Sequence, residues 1–407
     1  MISFIKKLIN YYHTRINYFD ILKSGNKYDK NKINLGWCGV FPPTKNGTAA
    51  AAYYMVKELR KKENINLFLI PYEGNFEGRK YPPRLDKRIF KDFNVAKIDS
   101  PKLDLVVFFL LGEAAGGVVN KVNAPCVIWQ TIHDTTKETA EKKLFNDIKN
   151  YKYKRLFLTS QNAYEEFKKN GAKDVSYFPL GVNRSIFNPR KTPDDFVVLF
   201  LSRIVRYKGI IPLLKSIPIV LNKCPKVKFK IHAPFHGVLK HEAEINQLVD
   251  SIIKNYPDNF NISFDWTNYD HVSNMYKDIS LLVFPSNNEG FGVPLIEAMS
   301  CGIPSIVLNK PPMNEIITDN HTGFCLELDK TVRYKYEDLL KKDEYCYKEY
   351  ESWAFPSPED IADKIIYLYE NPKAYENMSR NCAEYSEKFN LTALTDEFVR
   401  QVEEIVG

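Results

Sequence analysis

Short, near-continuous runs of apolar residues recur along most of the chain and are separated by longer amphipathic stretches. Runs such as Leu103–Leu111 and Leu281–Pro285 lack the alternation expected of a strand with one wet face. They predict strands that are buried on both faces, as in a parallel sheet. The amphipathic stretches predict the helices that connect such strands. Because 407 residues are too many for one small core, the sequence predicts two doubly wound α/β domains.

The strand-like runs divide into two series. The first comprises Ile33–Val40, Ile65–Pro71, Leu103–Leu111, Pro125–Thr131, Arg155–Ser160 and Val175–Leu180. The second comprises Phe196–Ser202, Val227–Ala233, Asn261–Trp266, Leu281–Pro285, Pro304–Leu308 and Gly323–Glu327. Helices are predicted near 47–62, 137–150, 161–170, 209–222, 240–255, 269–278, 294–301, 312–318, 358–370, 372–388 and 391–405.

A polar segment, Gly181–Asp195, separates the two series and is interpreted as a linker because it carries two prolines and no apolar run. Residues 330–356 are interpreted as a looser insertion. The predicted organisation is a basic extension (1–32), an N-terminal Rossmann-like domain (33–185), a C-terminal Rossmann-like domain (196–388) and a final helix (389–407). Two such domains facing one another would place a ligand cleft between the carboxyl ends of their strands.

The charge distribution narrows the class of partner. The net charge is +7, and residues 1–32 supply +5 of it, from seven Lys or Arg against Asp20 and Asp29. The rest of the chain is close to neutral, which argues against a nucleic-acid-binding body. Residues 1–25 could instead make a peripheral contact with an anionic membrane surface. A surface helix of the first domain is the alternative for this segment.

The cysteines and the hydropathy pattern indicate a cytoplasmic protein, with the cytoplasmic face of a membrane as the alternative location. Seven Cys occur without a C-x-x-C pair or a Cys/His cluster, which is typical of reduced thiols. The first 25 residues contain no long apolar core of the kind that a secretory signal needs. The longest apolar run, Leu105–Leu111, is far shorter than a membrane span.

The segment Glu289-Gly-Phe-Gly-Val-Pro-Leu-Ile-Glu297 joins a strand-like run to a predicted helix. Its glycine loop and helix N-terminus predict an anion site, with Pro294 at the first helical position. The backbone of Phe291, Gly292, Val293, Pro294 and Leu295 would hold a sugar and its phosphate. Glu289 and Glu297 would repel phosphate, so we expect them to bind hydroxyl groups of a sugar nucleotide. The alternative for Glu297 is a first-turn carboxylate that caps the helix.

A second candidate site is the basic turn Arg203-Ile-Val-Arg206-Tyr-Lys208-Gly209, which follows the first strand of the second series. Arg203 and Lys208 could clamp a diphosphate, the first through its planar fork and the second as a point charge. Arg206 is interpreted as a bystander. A solvated basic turn is the alternative.

Two positions in the first series complete the candidate set. His133 lies at the end of the run that contains Trp129, where it could hydrogen-bond a sugar hydroxyl or exchange a proton. A purely structural histidine is the alternative. Gly47 lies in a strand-to-helix loop, Phe41–Ala50, that could approach a phosphate, although an ordinary turn explains it equally well.

No motif in the chain predicts a metal or a cofactor. An Asp-x-Asp after a strand end, a Walker lysine motif, a G-x-S-x-G elbow and a zinc-ligand spacing are all missing from the sequence. The expected site therefore uses no metal, and its only small-molecule requirement is the sugar nucleotide as co-substrate.

Taken in order and spacing, these residues resemble glycosyltransferase family 4, a family of retaining enzymes with the GT-B fold. The resemblance is carried by Glu289-x7-Glu297, Arg203 with Lys208-Gly209, Pro179-Leu-Gly-Val-Asn183, Phe187-Asn-Pro189, and Asn314-Glu-Ile-Ile317 with Gly323-Phe324. It is strong over residues 175–330 and weak over residues 33–175. The chain has Asn46-Gly47 where members often have two glycines, and Pro234-Phe235-His236 in place of a frequent Gly-x-Gly.

The resemblance implies a role for each matching position. Arg203 and Lys208 would bind the donor diphosphate, Glu297 the donor ribose, and Glu289 and His133 the transferred sugar. It also implies that the domain 33–185 lies on the acceptor side, that the domain 196–388 binds the donor, and that the final helix crosses back to the first domain. The predicted function is retaining transfer of a hexose from a nucleotide diphosphate sugar to an acceptor hydroxyl on a glycan, lipid or other molecule. The alternatives are an epimerase or phosphorylase on the same fold, or a non-catalytic sugar-nucleotide or glycan-binding scaffold.

Overall fold

The computed structural model describes residues 27–39, 41, 47–71, 74–76, 79–81, 93–97, 100–109, 119, 122–131, 153–233, 243–264, 269–334 and 353–407. The chain forms two units, residues 1–181 with 391–407, and residues 182–390. The proposed membrane-contact segment, residues 1–25, lies outside the described residues. Among the described helices, none is both long enough and apolar enough to cross a membrane.

The first unit contains a parallel sheet of seven described strands in the order β5-β2-β1-β6-β7-β8-β9. Strands β3 and β4 form a separate antiparallel pair. The bounds are β1 (Ile33–Gly39), β2 (Ile65–Pro71), β3 (Gly74–Phe76), β4 (Arg79–Tyr81), β5 (Asn94–Val95), β6 (Leu105–Phe109), β7 (Cys126–Gln130), β8 (Arg155–Leu158) and β9 (Val175–Tyr177). Two described helices of this unit are α1 (Gly47–Leu59) and α2 (Gln161–Lys169).

The second unit contains a parallel sheet in the order β12-β11-β10-β13-β14-β15. Its strands are β10 (Val197–Leu201), β11 (Lys228–His232), β12 (Phe260–Ser263), β13 (Leu281–Phe284), β14 (Ser305–Leu308) and β15 (Gly323–Leu326). Its helices are α3 (Ile210–Lys223), α4 (Ala243–Asn255), α5 (Val293–Ser300), α6 (Met313–Ile316), α7 (Pro358–Glu370) and α8 (Pro372–Tyr385). The buried faces of α3, α4 and α7 pack with these strands in one apolar core. Two parallel α/β sheets confirm the predicted fold class.

The two chain connections of the second unit lie side by side. Val182 donates its backbone N–H to the carbonyl of Phe389 at 2.7 Å, and it forms an isolated bridge with Asn390. Arg184 reinforces this point by an ion pair with Glu387 at 2.9 Å. The two ends of the unit are therefore joined at one hydrogen-bonded point, the Val182–Phe389 seam.

The final helix, α9 (Leu391–Val406), packs with the first unit through an aromatic cluster. Phe398 is fully buried, and its ring lies 5.9 Å from Trp37, 5.4 Å from Trp129, 5.9 Å from Phe157 and 6.2 Å from Phe178. Rings at these separations and inclinations contribute more to the free energy of folding than the burial of their apolar area alone would. Phe398 therefore anchors α9 to the strands of the first sheet.

Each of the twelve strand-like runs overlaps an observed strand, but other predictions were wrong in detail. Residues 330–356 include an antiparallel pair, β16 (Asp329–Tyr334) with β17 (Trp353–Phe355), where the sequence predicts only a loose insertion. The helix predicted at 269–278 is a 3₁₀ helix, Tyr269–Tyr276. The stretch 372–388 divides into α8 and a 3₁₀ turn, Ser386–Phe389. The helix predicted at 137–150 lies outside the described residues.

Replacement of Phe398 by Ala is expected to destabilise the first unit by about 3–5 kcal/mol, because it empties the centre of the ring cluster. Thermal or urea unfolding of the full chain measures the loss. Val406→Ala, on the 37% exposed end of the same helix, is the matched control and is expected to change stability by less than about 0.5 kcal/mol. Equal effects of the two changes would show that the ring cluster does not hold α9.

Candidate functional site

The two motifs singled out in the second half of the chain follow neighbouring strands. Arg203 lies two residues after the end of β10, and Glu289 lies five residues after the end of β13. These strands pair in parallel, with Val198 opposite Leu281. In the order β12-β11-β10-β13-β14-β15, the strands that follow β10 in sequence are added on one side of it, as far as β12. The strands from β13 onward are added on the other side, so the strand order switches between β10 and β13. Ligands of open α/β sheets bind at the carboxyl ends of the strands at such a switch point. The fold therefore brings both motifs to the place where a ligand is expected.

Gly209 allows the two loops to touch. Its φ is +71°, a left-handed conformation, and a Cβ atom added here would lie 2.2 Å from the carbonyl oxygen of Pro285. A side chain is thus excluded on both backbone and steric grounds. The loops are also joined by the N–H of Asn287, which donates to the carbonyl of Tyr207 at 2.8 Å.

Lys208 and Glu289 form an ion pair across these loops. The Lys208 Nζ lies 2.5 Å from Glu289 Oε1 and donates also to the carbonyl of Asn288 at 3.1 Å. The two side chains are only 11% and 13% exposed. Because a buried charge without a partner is costly, each holds the other in place. The structure thus brings together a predicted phosphate-binding cation and a predicted hydroxyl-binding carboxylate.

Arg203 and Arg206 differ in their surroundings although they belong to one turn. Arg203 is exposed, its guanidinium carbon lies 5.7 Å from the ring centre of Tyr207, and it donates to the hydroxyl of that residue. Arg206 pairs with Glu244 at 3.4 Å, and Lys215 shares the same carboxylate. Arg203 therefore keeps an exposed cation beside Lys208, whereas Arg206 is engaged by a neighbouring helix.

The loop Glu289–Gly292 ends at the N-terminus of α5. Gly292 has φ +102° and caps the helix, so Val293 is the first helical residue. Pro294, expected at the first position, is the second. The side chains of Phe291 and Leu295 are buried, at 3% and 0% exposure. Pro294 has no backbone N–H, and Leu295 donates its own to the Gly292 carbonyl at 2.9 Å. The backbone N–H groups that this loop can offer a ligand, with the positive end of the helix dipole, are therefore those of Phe291, Gly292 and Val293.

Glu297 is the fifth residue of α5, so the capping alternative, which needs a first-turn carboxylate, is wrong. It is 6% exposed, and its Oε2 accepts a hydrogen bond from the Tyr276 hydroxyl at 2.6 Å. Burial raises the pKa of this carboxyl from 4.5 to about 7, although the Tyr276 hydrogen bond opposes the shift. A buried carboxyl without a stabilising role in the core is a common mark of a functional site.

The sequence reasoning missed three polar groups around these loops. Tyr276 comes from the 3₁₀ helix that precedes β13. Lys310, after β14, donates to the carbonyl of Asn287 at 3.0 Å and to its Oδ1 at 3.2 Å. Asn287 in turn donates to the carbonyl of Ala354 at 2.6 Å, which ties the loop to β17. The strand-end position of Lys310 was a usable signal, but only the fold reveals the other two contacts.

The candidates from the first half of the chain lie either outside the described residues or in the first unit. His133 lies outside the described residues, as do residues 42–46 of the loop before Gly47. Gly47 is the first residue of α1 in the first unit. In the described ranges, no three His, Cys, Asp or Glu side chains are grouped closely enough to hold a metal ion.

Comparison with known proteins connects this geometry with a reaction. The family model of glycosyl transferases group 1 matches residues 182–353, which include both loops and α5. An uncharacterized glycosyltransferase of Methanocaldococcus jannaschii is 21% identical over 342 residues, 82% of this chain and 83% of its own length. The chain is a GT-B glycosyltransferase.

A further relative and a solved structure are also similar to this chain. The capsular polysaccharide biosynthesis glycosyltransferase CapM of Staphylococcus aureus is 30% identical over 155 residues, which cover 37% of this glycosyltransferase and 38% of CapM. The crystal structure of HepE from Anabaena, in complex with UDP-glucose, superposes with a TM-score of 0.64 at 12% identity. The superposition covers 91% of this chain and 99% of HepE, and it supports the fold.

Glu297→Gln is expected to stabilise the glycosyltransferase, and to do so more at high pH. The carboxyl loses its proton near pH 4.5 when unfolded and near pH 7 when folded, so the fold is penalised as pH rises between these values. The gain is expected to be small at pH 5 and on the order of 3 kcal/mol at pH 8. Thermal unfolding of both proteins at pH 5 and pH 8 measures it. A gain independent of pH would contradict the raised pKa.

Gly209→Ala is expected to disrupt the contact between the two loops, because the new Cβ meets the Pro285 carbonyl. Gly171→Ala is the matched control, since Gly171 has φ +79° but open space around a Cβ. The control is expected to cost about 1 kcal/mol from backbone strain alone. Gly209→Ala is expected to cost more and to lower glycosyl transfer. Unfolding and activity measurements compare the two, and equal stability losses would contradict the steric reason.

Proposed function

We propose that this glycosyltransferase moves a hexose from a nucleotide diphosphate sugar to an acceptor hydroxyl with retention of anomeric configuration, as a member of family 4. The observation that carries the proposal is the Lys208–Glu289 pair at the switch point of the second sheet. A cation for phosphate and a carboxylate for hydroxyl groups stand together there, beside a helix N-terminus. A sugar nucleotide offers both kinds of group within one molecule.

The donor diphosphate is proposed to bind Arg203, Lys208 and the backbone N–H groups of Phe291, Gly292 and Val293 at the start of α5. An ammonium carries three N–H donors, and the bonds to Glu289 and Asn288 use two of them. The third is suited to a phosphate oxygen. Arg203 adds a planar guanidinium at an exposed position, where its fork can bind a second phosphate oxygen.

The two glutamates are proposed to bind hydroxyl groups. Glu289 would accept from the transferred hexose, because its partner Lys208 also contacts the phosphate to which that sugar is attached. Glu297 would accept from the ribose diol through the oxygen that Tyr276 does not occupy. Phosphate oxygens at either carboxylate would be repelled, which fixes the orientation of the donor along the loop.

The transfer breaks the bond between the anomeric carbon and the phosphate oxygen, and the leaving diphosphate keeps the bonding electrons. Arg203, Lys208 and the α5 dipole are proposed to stabilise that developing charge. The acceptor hydroxyl would attack from the face that the phosphate leaves and give its proton to the departing phosphate. His133 remains a proposed contact of the transferred sugar. These groups would perform the reaction without a metal.

Uridine diphosphate sugars are the first donors to examine, because HepE, which shares the fold, binds UDP-glucose. A screen of sugar nucleotides with and without candidate acceptors, scored by release of the nucleoside diphosphate, separates the possible reactions. Release that requires an acceptor hydroxyl supports transfer. Conversion of the donor alone would indicate an epimerase, and dependence on inorganic phosphate a phosphorylase.

Arg203→Ala is expected to lower donor turnover by about 10²–10³, because a positioned cation on the leaving group is lost. Since Arg203 is exposed, folding is expected to be unaffected. Arg206→Ala is the matched control, because Arg206 pairs with Glu244 and is expected to leave turnover nearly unchanged. Nucleoside diphosphate release measures both variants. Wild-type turnover in Arg203→Ala, or in Glu297→Ala, would overturn the proposed donor site.

A further inference from the structure

The Tyr276 hydroxyl stands between two acceptors of the same helix. It lies 2.6 Å from Glu297 Oε2 and 3.4 Å from the carbonyl oxygen of Pro294. A phenol carries one proton, so the shorter contact, to the carboxylate, is the stronger hydrogen bond. The tyrosine is 1% exposed and the glutamate 6% exposed. The hydrogen bond between the two side chains is therefore largely shielded from water.

A second set of contacts fixes Tyr276 relative to α5. Its ring meets the ring of Phe187 edge to face, with centroids 5.8 Å apart at 78°. The carbonyl of Phe187 accepts a hydrogen bond from the Ser300 hydroxyl at 2.5 Å, and Ser300 lies one turn after Glu297 on α5. The Tyr276 hydroxyl is therefore held by the Glu297 carboxylate. The Tyr276 ring is held by Phe187, which is itself hydrogen-bonded to α5.

We infer that Tyr276 is a positioning residue for the donor, whose hydroxyl holds Glu297 Oε2 so that Oε1 alone is presented to the ribose diol. The inference rests on the proposed function, in which Glu297 binds that diol. A carboxylate whose two oxygens were both free of protein contacts could rotate and accept from a ligand in several orientations. With one oxygen engaged, the other has a single direction in which to accept from a vicinal pair of hydroxyls.

A neutral donor suits this task better than a cation. A lysine or arginine in place of Tyr276 would compete with the diol for the carboxylate charge, whereas a phenol supplies one hydrogen bond and leaves the charge in place. The hydrogen bond also favours the ionised form of Glu297, which burial disfavours. Tyr276 therefore both orients the carboxylate and extends the pH range in which it can accept.

Other titratable groups surround α5 but do not replace this contact. Cys301 ends the helix, and the thiol interacts with both Glu297 and Arg190. The elements packed against α5 are β13, β14, α6, α8 and the 3₁₀ turn after α8. Their titratable side chains are Glu315, Lys373, Tyr375, Glu376, Arg380, Cys382, Glu384, Tyr385, Glu387 and Lys388. In the described structure, the hydrogen bond to the Glu297 carboxyl comes from Tyr276.

Calorimetry on the full chain tests this inference. Whichever of UDP, ADP and GDP binds the wild type most tightly is chosen, and its affinity is compared with that of its 2′-deoxy form. The wild type is expected to prefer the ribonucleotide, because the 2′-hydroxyl is one of the two groups that Glu297 accepts. Tyr276→Phe is expected to weaken ribonucleotide binding about tenfold and the 2′-deoxy form much less, so the preference shrinks. The acid limb of the donor kcat/KM profile is expected to move to higher pH. Tyr375→Phe is the matched control, since Tyr375 is also buried and hydrogen-bonded, to Ser280.

The outcomes separate the inference from the proposed function. Equal weakening of both nucleotides by Tyr276→Phe, with an unmoved acid limb, would reduce Tyr276 to a structural residue and overturn the inference. Full retention of the preference would do the same. If none of the three nucleotides binds, or if Glu297→Gln keeps the wild-type preference, the donor role of Glu297 itself fails. Melting temperatures of the variants show that each protein is folded in these measurements.

Discussion

The close contact between the loops after β10 and β13 is the constraint on which the candidate site depends. Gly209 permits it, because any side chain there would meet the Pro285 carbonyl. Only at this separation can the Lys208 ammonium reach Glu289 at 2.5 Å. The ion pair is thus a consequence of the strand order. Because β10 and β13 are neighbours in the sheet, the loops that follow them lie side by side although they are 80 residues apart in sequence.

Glu297 is a buried carboxyl that lowers the stability of the fold when it is ionised. Burial in α5 raises its pKa to about 7, so the folded chain bears a cost for keeping the ionised form at neutral pH. Tyr276 recovers part of that cost through one hydrogen bond. A core built for stability alone would place an apolar residue there. In the proposed function the Glu297 carboxyl is a ligand contact, and the inferred role of Tyr276 is to hold that carboxyl in place.

Much of this architecture was predictable, because buried parallel strands have a local signature in apolar runs such as Leu281–Phe284. The placement of Arg203 and Glu289 at strand ends followed from the same pattern. Contacts between distant segments were not predictable. Tyr276 lies in an amphipathic stretch that is not otherwise distinguished, and its meeting with Glu297 depends on how a 3₁₀ helix packs against α5. The strands β16 and β17 were missed because they pair across a long intervening segment.

The seam at Val182 and Phe389 has a consequence for how such an enzyme can change over evolutionary time. Because the second unit begins and ends at one hydrogen-bonded point, its two ends are as close as those of a domain inserted into a surface loop. Its core also draws on its own strands and helices. A unit of this kind can be exchanged as a cassette by recombination at two breakpoints, near residues 182 and 390, which are distant in the sequence but adjacent in the fold.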